Sequence, residues 1–513
     1  MAAPIPNLSA ALNLAAPTSA SWLTILPVPL CFSLAAILVI LRRHSILQPV
    51  IATAGLLLLV GLNAALLVAV IAEGPVTMVM GRWLPPFGIA FTVDLTSALF
   101  TLAASVVALA ACLFASGDID AAARGQGFYA FLLLLMAGVC GALTTGDIFN
   151  LYVWFEVTLI AAFGLMAVGE EPEQIDGAWT YALMNLVGTA LFLATVGLLY
   201  ARLGTLNMAD LAREIRAGEG AQPGMTLSVL FLFALGLKAA AFPLQMWLPA
   251  AYHTPRLTVS ALFAGLMTKV AIYVLLRLFV MLMPLQREEL SLLIVTAGAA
   301  SMLVGALGML AEDDLRRVAG FGVIAGIGNM LSGLALGSPG GVSGAILYAL
   351  HSMLAMTALY IAVAGIGRRL GSFSLGRAGG LYARDPLFAF LCLALFFAVS
   401  GLPPLSGFWP KAILTKAALD IGAWWLAGAI LLSGFLTTIA LARIFLLAFW
   451  RPAATAEIGP AASGTAALTL LVALIAGFGL LPEGVLSLAQ EAAASLSAGD
   501  AYVGSVFPGE ASP

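Results

Sequence analysis

The chain has 513 residues, of which 62% are hydrophobic and 9% charged, against about a quarter charged in ordinary soluble domains. With a mean hydropathy of +1.07, that composition excludes a soluble protein. A net charge of −3 and an isoelectric point near 5.7 offer no basic surface, so no nucleic-acid partner is expected.

Residues before Trp22 are rich in Ala, Pro and Ser and read as a loose tail, and the first apolar run can itself direct insertion without a cleavable signal. Apolar runs near the roughly 20 residues a helix needs to cross a bilayer then recur. The first five are Leu23 to Leu41, Pro49 to Ile71, Leu95 to Ala115, Phe128 to Thr144 and Ile148 to Val168. Six follow: Ala178 to Tyr200, Leu227 to Trp247, Thr258 to Met283, Leu290 to Leu310, Val318 to Leu336 and Val342 to Ile366. Leu387 to Lys416, Trp424 to Trp450 and Leu468 to Leu481 complete an all-α integral membrane protein of about fourteen transmembrane helices.

Alternate connections carry most of the arginine: Arg42 and Arg43, Arg124, Arg256, Arg316 and Arg317, the group from Arg368 to Arg384, and Arg451. The positive-inside rule makes those loops cytoplasmic and both termini external. The longest outer connection, Met208 to Arg216, reads as a short amphipathic surface helix. The four cysteines, Cys31, Cys112, Cys140 and Cys392, stand singly within apolar runs and read as small core hydrophobes.

Two runs are interrupted alike, at Pro243 and at Pro403 and Pro404. Proline frees backbone groups that lipid cannot satisfy, so both breaks are expected to face protein or water. Such a pair points to an inverted-repeat transporter with its ion site near the breaks.

A charge at the bilayer centre costs at least about 2.5 kcal/mol, so ionisable groups within spans are functional candidates. Glu156 lies in the fifth span with Asp147 at its mouth; Lys238 precedes the first break, Lys269 lies in the next span, and Lys411 follows the second break. Buried lysine gives up its proton more easily than lysine in water, and a nearby carboxylate opposes this, so a row of such groups has the physics of a proton relay. Glu156 with Lys238 is read as a charge-compensated couple, with a purely structural ion pair as the alternative. His351, mid-span beside hydroxyls, suits proton transfer between the lysines or a packing hydrogen bond. For Lys411 the alternative is snorkelling to the interface. His253 and His44 fall in cytoplasmic loops, His253 close to the first break. No nucleotide, flavin or metal motif is legible, so no cofactor is expected and energy must come from an ion gradient or a partner.

At three stretches the chain resembles the antiporter-like family shared by Mrp-type sodium/proton antiporters and the proton-pumping membrane subunits of respiratory complex I. They run from Gly146 to Val157, from Ser260 to Val270 and from Gly401 to Lys411. The likeness is greatest to D-type Mrp subunits, and it covers most of the chain. The resemblance implies fourteen helices with two inverted five-helix repeats, broken helices seven and twelve, and a central hydrophilic axis. It implies roles for Glu156 and Lys238 as the carboxylate–lysine pair, Lys269 as the central lysine, His351 as the bridging histidine and Lys411 as the terminal site. The chain then divides into a tail (1–21), three helices (22–126), an antiporter-like domain with following helices (127–484) and a C-terminal tail (485–513).

Three positions depart from the family pattern. The usual lysine on helix eleven is replaced among Ala355, Met356 and Thr357, the usual aspartate after the first break is Ala250, and the usual Tyr-Ser-Ser of helix ten is Phe321-Gly322-Val323. The resemblance implies a transporter subunit, not an enzyme, of a multisubunit monovalent cation/proton antiporter. Its place would be the bacterial cytoplasmic membrane, with other antiporter subunits, protons, monovalent cations and lipid as partners. A proton-pumping subunit of a complex-I-like or hydrogenase complex, and a relay-impaired structural paralogue, are the competing readings.

Overall fold

The computed structural model describes residues 17–169, 171–217, 224–377, 379–452 and 464–508. Most of the expected N-terminal tail (1–16) and the end of the C-terminal tail (509–513) lie outside the described residues. The apolar runs wind into helices because lipid offers no partner to a free backbone group. α1 (Ser19–Ile25) and α2 (Pro27–Ile40) meet at a 48° bend, where Pro27 lacks the N–H that would continue the helix. α3 (Leu47–Glu73) leads to an antiparallel hairpin of β1 (Val76–Val79) and β2 (Ala90–Val93), with Val76 opposite Val93. The run pattern carries no sign of this hairpin.

α4 (Leu95–Asp118), α5 (Ala121–Gly125), α6 (Phe128–Thr144), α7 (Ile148–Ala167), α8 (Pro172–Leu203) and α9 (Met208–Ala217) follow. The first broken helix is α10 (Met225–Ala239) with α11 (Trp247–Tyr252). Next come α12 (Leu257–Leu276), prolonged by a π-helical turn (Arg277–Leu282), then α13 (Pro284–Glu289), α14 (Ser291–Ala311), α15 (Leu315–Leu336), α16 (Pro339–Leu370) and α17 (Leu381–Arg384). The second broken helix is α18 (Pro386–Ser400) with α19 (Phe408–Asp420). α20 (Trp424–Phe445), α21 (Thr465–Leu480), α22 (Glu483–Ala498) and α23 (Asp500–Val506) end the chain.

Among the described residues nine helices are long and apolar enough to cross a membrane, or eleven if each of two bent pairs is one span. Three shorter apolar helices are α6, α10 and α18. The central segments of α12, α15 and α16 are 94%, 100% and 94% buried, against 33% for α3 and 39% for α8 and α20. The first three therefore form the centre of the chain and the others its outer wall. Several helices start on a side chain that accepts an otherwise orphaned amide: Asp94 for α4, Asp147 for α7, Asp314 for α15, Ser338 for α16 and Asp385 for α18.

The arginine-rich connections gather on one face, where ion pairs tie distant segments. Arg368 binds Asp118, Arg256 binds Asp120 at 3.2 Å, Arg369 binds Asp385 at 2.6 Å and Arg443 binds Asp313 at 2.5 Å. On the opposite face α9 is the amphipathic helix expected at Met208, with Met208, Leu211 and Ile215 turned inward. The segment expected as a tail from residue 485 is helical instead: α22 packs on α16 and α4, and α23 on α9 and β2. Ala489, Ala492, Ala493 and Leu496 give α22 a buried face that a solvated tail would lack.

Candidate functional site

The first break begins at Ala240, whose left-handed backbone (φ 56°, ψ 46°) ends α10. Its polar groups are met by side chains: Trp247 Nε1 donates to the Leu237 carbonyl at 3.0 Å, and the Phe242 amide donates to Ser301 Oγ at 2.9 Å. Phe242 and Pro243 themselves point outward. The backbone groups freed at this break thus meet protein side chains, as expected.

Lys238, in the last turn of α10, is 7% exposed. Its ammonium donates to Thr189 Oγ1 of α8 at 2.6 Å and stands 4.7 Å from the Phe155 ring centroid. No ion pair within 4 Å joins it to Glu156, so the alternative of a tight structural ion pair is set aside. Glu156 is half-buried and lies on the outward stripe of α7, in line with the exposed Phe149, Val153, Ile160 and Phe163. It remains within electrostatic reach of Lys238. A cavity of about 20 Å³ beside Lys238, reaching Thr158, Asn185, Met267 and Ala271, has room for about one water between the lysine and α12.

Lys269 of α12 is fully buried and has no carboxylate partner among the described residues; its ammonium donates to the Ala264 carbonyl at 2.5 Å. Across from this turn stands α16. A Cβ on Gly265 would lie 2.2 Å from Thr357 Oγ1, so that hydroxyl packs directly against α12. Thr357, one of the three residues at the altered helix-eleven position, therefore touches the helix that carries Lys269. Phe321 of the altered helix-ten run turns the other way, onto Gly308 of α14.

His351 of α16 is fully buried, with Nδ1 2.8 Å from Ser406 Oγ in the second break. It lies within electrostatic reach of Lys411 and of Lys269. Gly407 makes this approach possible: a Cβ there would stand 2.0 Å from the Ala398 carbonyl oxygen and 3.0 Å from His351 Nε2. Lys411 of α19 turns back under the break and donates to the Ser400 carbonyl at 2.7 Å. It neutralises a C-terminal carbonyl of α18 rather than snorkelling to the interface, which corrects that alternative. Pro403 and Pro404, like Pro243, face outward.

The remaining candidates stand apart. Asp147 caps α7 by accepting the Asn150 amide at 2.7 Å, and burial raises its carboxyl above the usual aspartate range. His253 ends α11 with Nδ1 2.9 Å from the Pro249 carbonyl oxygen, within electrostatic reach of Asp314 on the arginine-rich face. Ala250 is exposed on α11. Sequence reasoning passed over Thr189, Ser400 and Ser406, for which no signal exists before the helices are assembled. It also passed over Arg277, which carries the same signal as the lysines: a charge inside an apolar run. Among the described residues no cluster of three or more His, Cys, Asp or Glu is placed to hold a metal.

The family described as NADH:quinone oxidoreductase/Mrp antiporter, TM matches residues 145–437, the stretch that holds Glu156, both breaks and every lysine of the site. The chain belongs to that family. It is 32% identical over 490 residues to the D-type Na(+)/H(+) antiporter subunit of Bacillus subtilis (strain 168), covering 94% of this chain and 99% of the relative. Its fold is similar to a chain of the Mrp complex from Dietzia sp. DQ12-45-1b, with a TM-score of 0.89, 29% identity and coverage of 96% and 100%. It is also similar to a chain of the membrane-bound sulfane sulfur reductase, an archaeal respiratory membrane complex, with a TM-score of 0.87, 26% identity and coverage of 94% and 99%. The all-helical, multi-pass membrane fold of this family is the fold of this chain.

Proposed function

We propose that the chain is a D-type membrane subunit of a multisubunit Na+/H+ (monovalent cation/proton) antiporter, moving protons through Lys238, Lys269, His351 and Lys411 beside Glu156. The observation that carries this reading is the buried line itself. Four protonatable side chains lie along the protein-filled centre, each held by a hydroxyl or a carbonyl rather than by a carboxylate. Such neutral partners leave each group free to change charge, whereas a tight ion pair would fix it. The antiporter relative of Bacillus subtilis and the Mrp complex of similar fold support antiport and partner subunits over catalysis.

In this reading the nine long helices, two bent pairs and three short apolar helices make fourteen spans, with α10–α11 and α18–α19 as broken helices seven and twelve of two inverted repeats. Residues 127–484 hold the translocating unit, Asp147 and His253 sit at its two mouths, and both termini face outside a bacterial cytoplasmic membrane. Thr357 and the water-sized cavity at Lys238 stand in for the missing helix-eleven lysine as hydrated links. The archaeal reductase of similar fold favours a second reading, in which a redox partner drives the same relay.

The test is sodium-driven proton flux in everted vesicles lacking native antiporters, using the complete set of complex subunits with and without Lys269→Ala. Flux lost in an assembled mutant complex is the expected result. Flux retained would refute the relay, and the absence of sodium-driven flux in the unmutated complex would favour the redox-driven reading.

A further inference from the structure

A cavity of about 450 Å³ opens on the face opposite the arginine-rich loops, where α15 ends and α16 begins. It is bounded by α13, the start of α14 and the turn into α20, and its volume falls in the range of small-ligand sites, about 300–1,000 Å³. None of the side chains of the proposed relay lines it.

Two neighbouring charges on α13 do line it, Arg287 and Glu288. Arg287 is half-buried and folds back onto the turn between α15 and α16, where a Cβ on Gly337 would coincide with its guanidinium. Among the described residues that guanidinium nonetheless forms no hydrogen bond or ion pair. Glu288 is exposed and within electrostatic reach of Arg287, yet the two do not close into an ion pair. The cavity thus presents a cation and an anion side by side, each with its bonding capacity unmet.

The rim is apolar. Leu292 at the start of α14, Ile421 before α20 and Trp425 in its first turn are 70%, 61% and 51% exposed. Trp424 is exposed beside Trp425, and paired exposed tryptophans mark the headgroup level of a bilayer. Simple solvation does not account for Arg287 in this setting: an arginine left to water would extend into it, whereas this one is packed against Gly337 under an apolar rim.

We propose that the cavity binds the headgroup of a zwitterionic phospholipid carrying a primary amine. Arg287 takes the phosphate, Glu288 takes the ammonium, and Leu292, Ile421 and Trp425 meet the glycerol and acyl carbons. The planar guanidinium matches two phosphate oxygens at once. A purely anionic headgroup would leave Glu288 facing a like charge, and a soluble phosphomonoester would leave the apolar rim uncovered.

The test strips the complete purified complex of lipid and measures rebinding of phosphatidylethanolamine, phosphatidylglycerol and free phosphoethanolamine. It compares the unmutated complex with Arg287→Gln and Glu288→Gln, reading the component of binding that Arg287→Gln removes. Phosphatidylethanolamine is expected to bind best, about tenfold or more weaker in Arg287→Gln, the scale of a lost hydrogen bond from a charged group. Glu288→Gln is expected to erase the preference over phosphatidylglycerol. Unchanged phosphatidylethanolamine binding in Arg287→Gln overturns the site. Phosphatidylglycerol binding at least as tightly to the unmutated complex overturns the role of the amine, and free phosphoethanolamine binding as tightly as the lipid overturns the lipid. Loss of a neighbouring subunit from assembled Arg287→Gln would make the occupant a protein and overturns the proposal likewise. Should Arg287→Gln fail to assemble, Ser291→Asp decides: it sets a carboxylate in the cavity one turn from Arg287, at a helix start that favours one. It is expected to weaken phosphatidylethanolamine binding to the same degree, and unchanged binding there overturns the site.

Discussion

The two broken helices differ in what closes the break. At α10–α11 a carbonyl of the interrupted helix receives the Trp247 indole, and the nearby lysine turns away to Thr189. At α18–α19 the lysine itself closes the break, with Lys411 on the Ser400 carbonyl. The left-handed residue also differs: Ala240 in the first, Gly401 (φ 83°) in the second. The first break is therefore a fixed frame beside a movable charge, whereas in the second the charge is part of the frame. In the proposed relay, coupling of proton movement to conformation would fall at the second break, because displacing Lys411 removes its hydrogen bond to the Ser400 carbonyl.

Lys411→Ala is the strongest probe of this difference. It is expected to abolish flux and to destabilise the complex by about 1.5–3 kcal/mol, the worth of a hydrogen bond from a charged group. Lys238→Met should also abolish flux, but with thermal unfolding of the purified complex nearly unchanged, since Trp247 still meets the break. Equal destabilisation by the two would erase the distinction between frame and charge. Trp247→Phe is expected to cost about 1 kcal/mol, one neutral hydrogen bond, while lowering flux only in part. A complete loss of flux there would move the coupling to the first break. The smallest effect is expected of Ala240→Gly: relief of a left-handed alanine and the entropy glycine adds to the unfolded chain nearly cancel, within about 0.5 kcal/mol. A larger shift in melting temperature would show that the alanine has a packing role.

The spans were legible because lipid imposes one rule on every segment: the run from Phe128 to Thr144 ends where α6 ends, and that from Trp424 to Trp450 ends with the π-helical turn (Leu446–Trp450) that prolongs α20. The hairpin at Val76 and Ala90 lies outside the bilayer rule, and the 78° bend that turns α22 away from α21 is not legible in an apolar run. Lys238, Lys269, His351 and Lys411 were legible as ionisable groups in apolar runs. Their partners were not. A run says nothing of how a helix is rotated, so it could not reveal that Glu156 lies on the outward stripe of α7 while Lys238 turns to α8. Thr189 and Ser406 look like any other hydroxyls until folding sets them against an ammonium and an imidazole. Arg277 meets Asp94 from 183 residues away, and Asp94 reads only as the residue before a span.

The ion pairs of the arginine-rich face have a consequence for how the protein is made. Asp118 and Arg368 are 250 residues apart, and ribosomes add about 5–20 residues per second, so α4 waits about 12–50 s for its partner to be synthesised. Asp118 also accepts from Thr258, which arrives earlier and donates to it through amide and hydroxyl. The contact with Thr258 is thus available to the early helices before α16 is made, and the contact with Arg368 only afterwards. Truncation before Arg368 should leave a chain that inserts but is cleared by membrane proteases, so quality control of this subunit would read the completion of its second half.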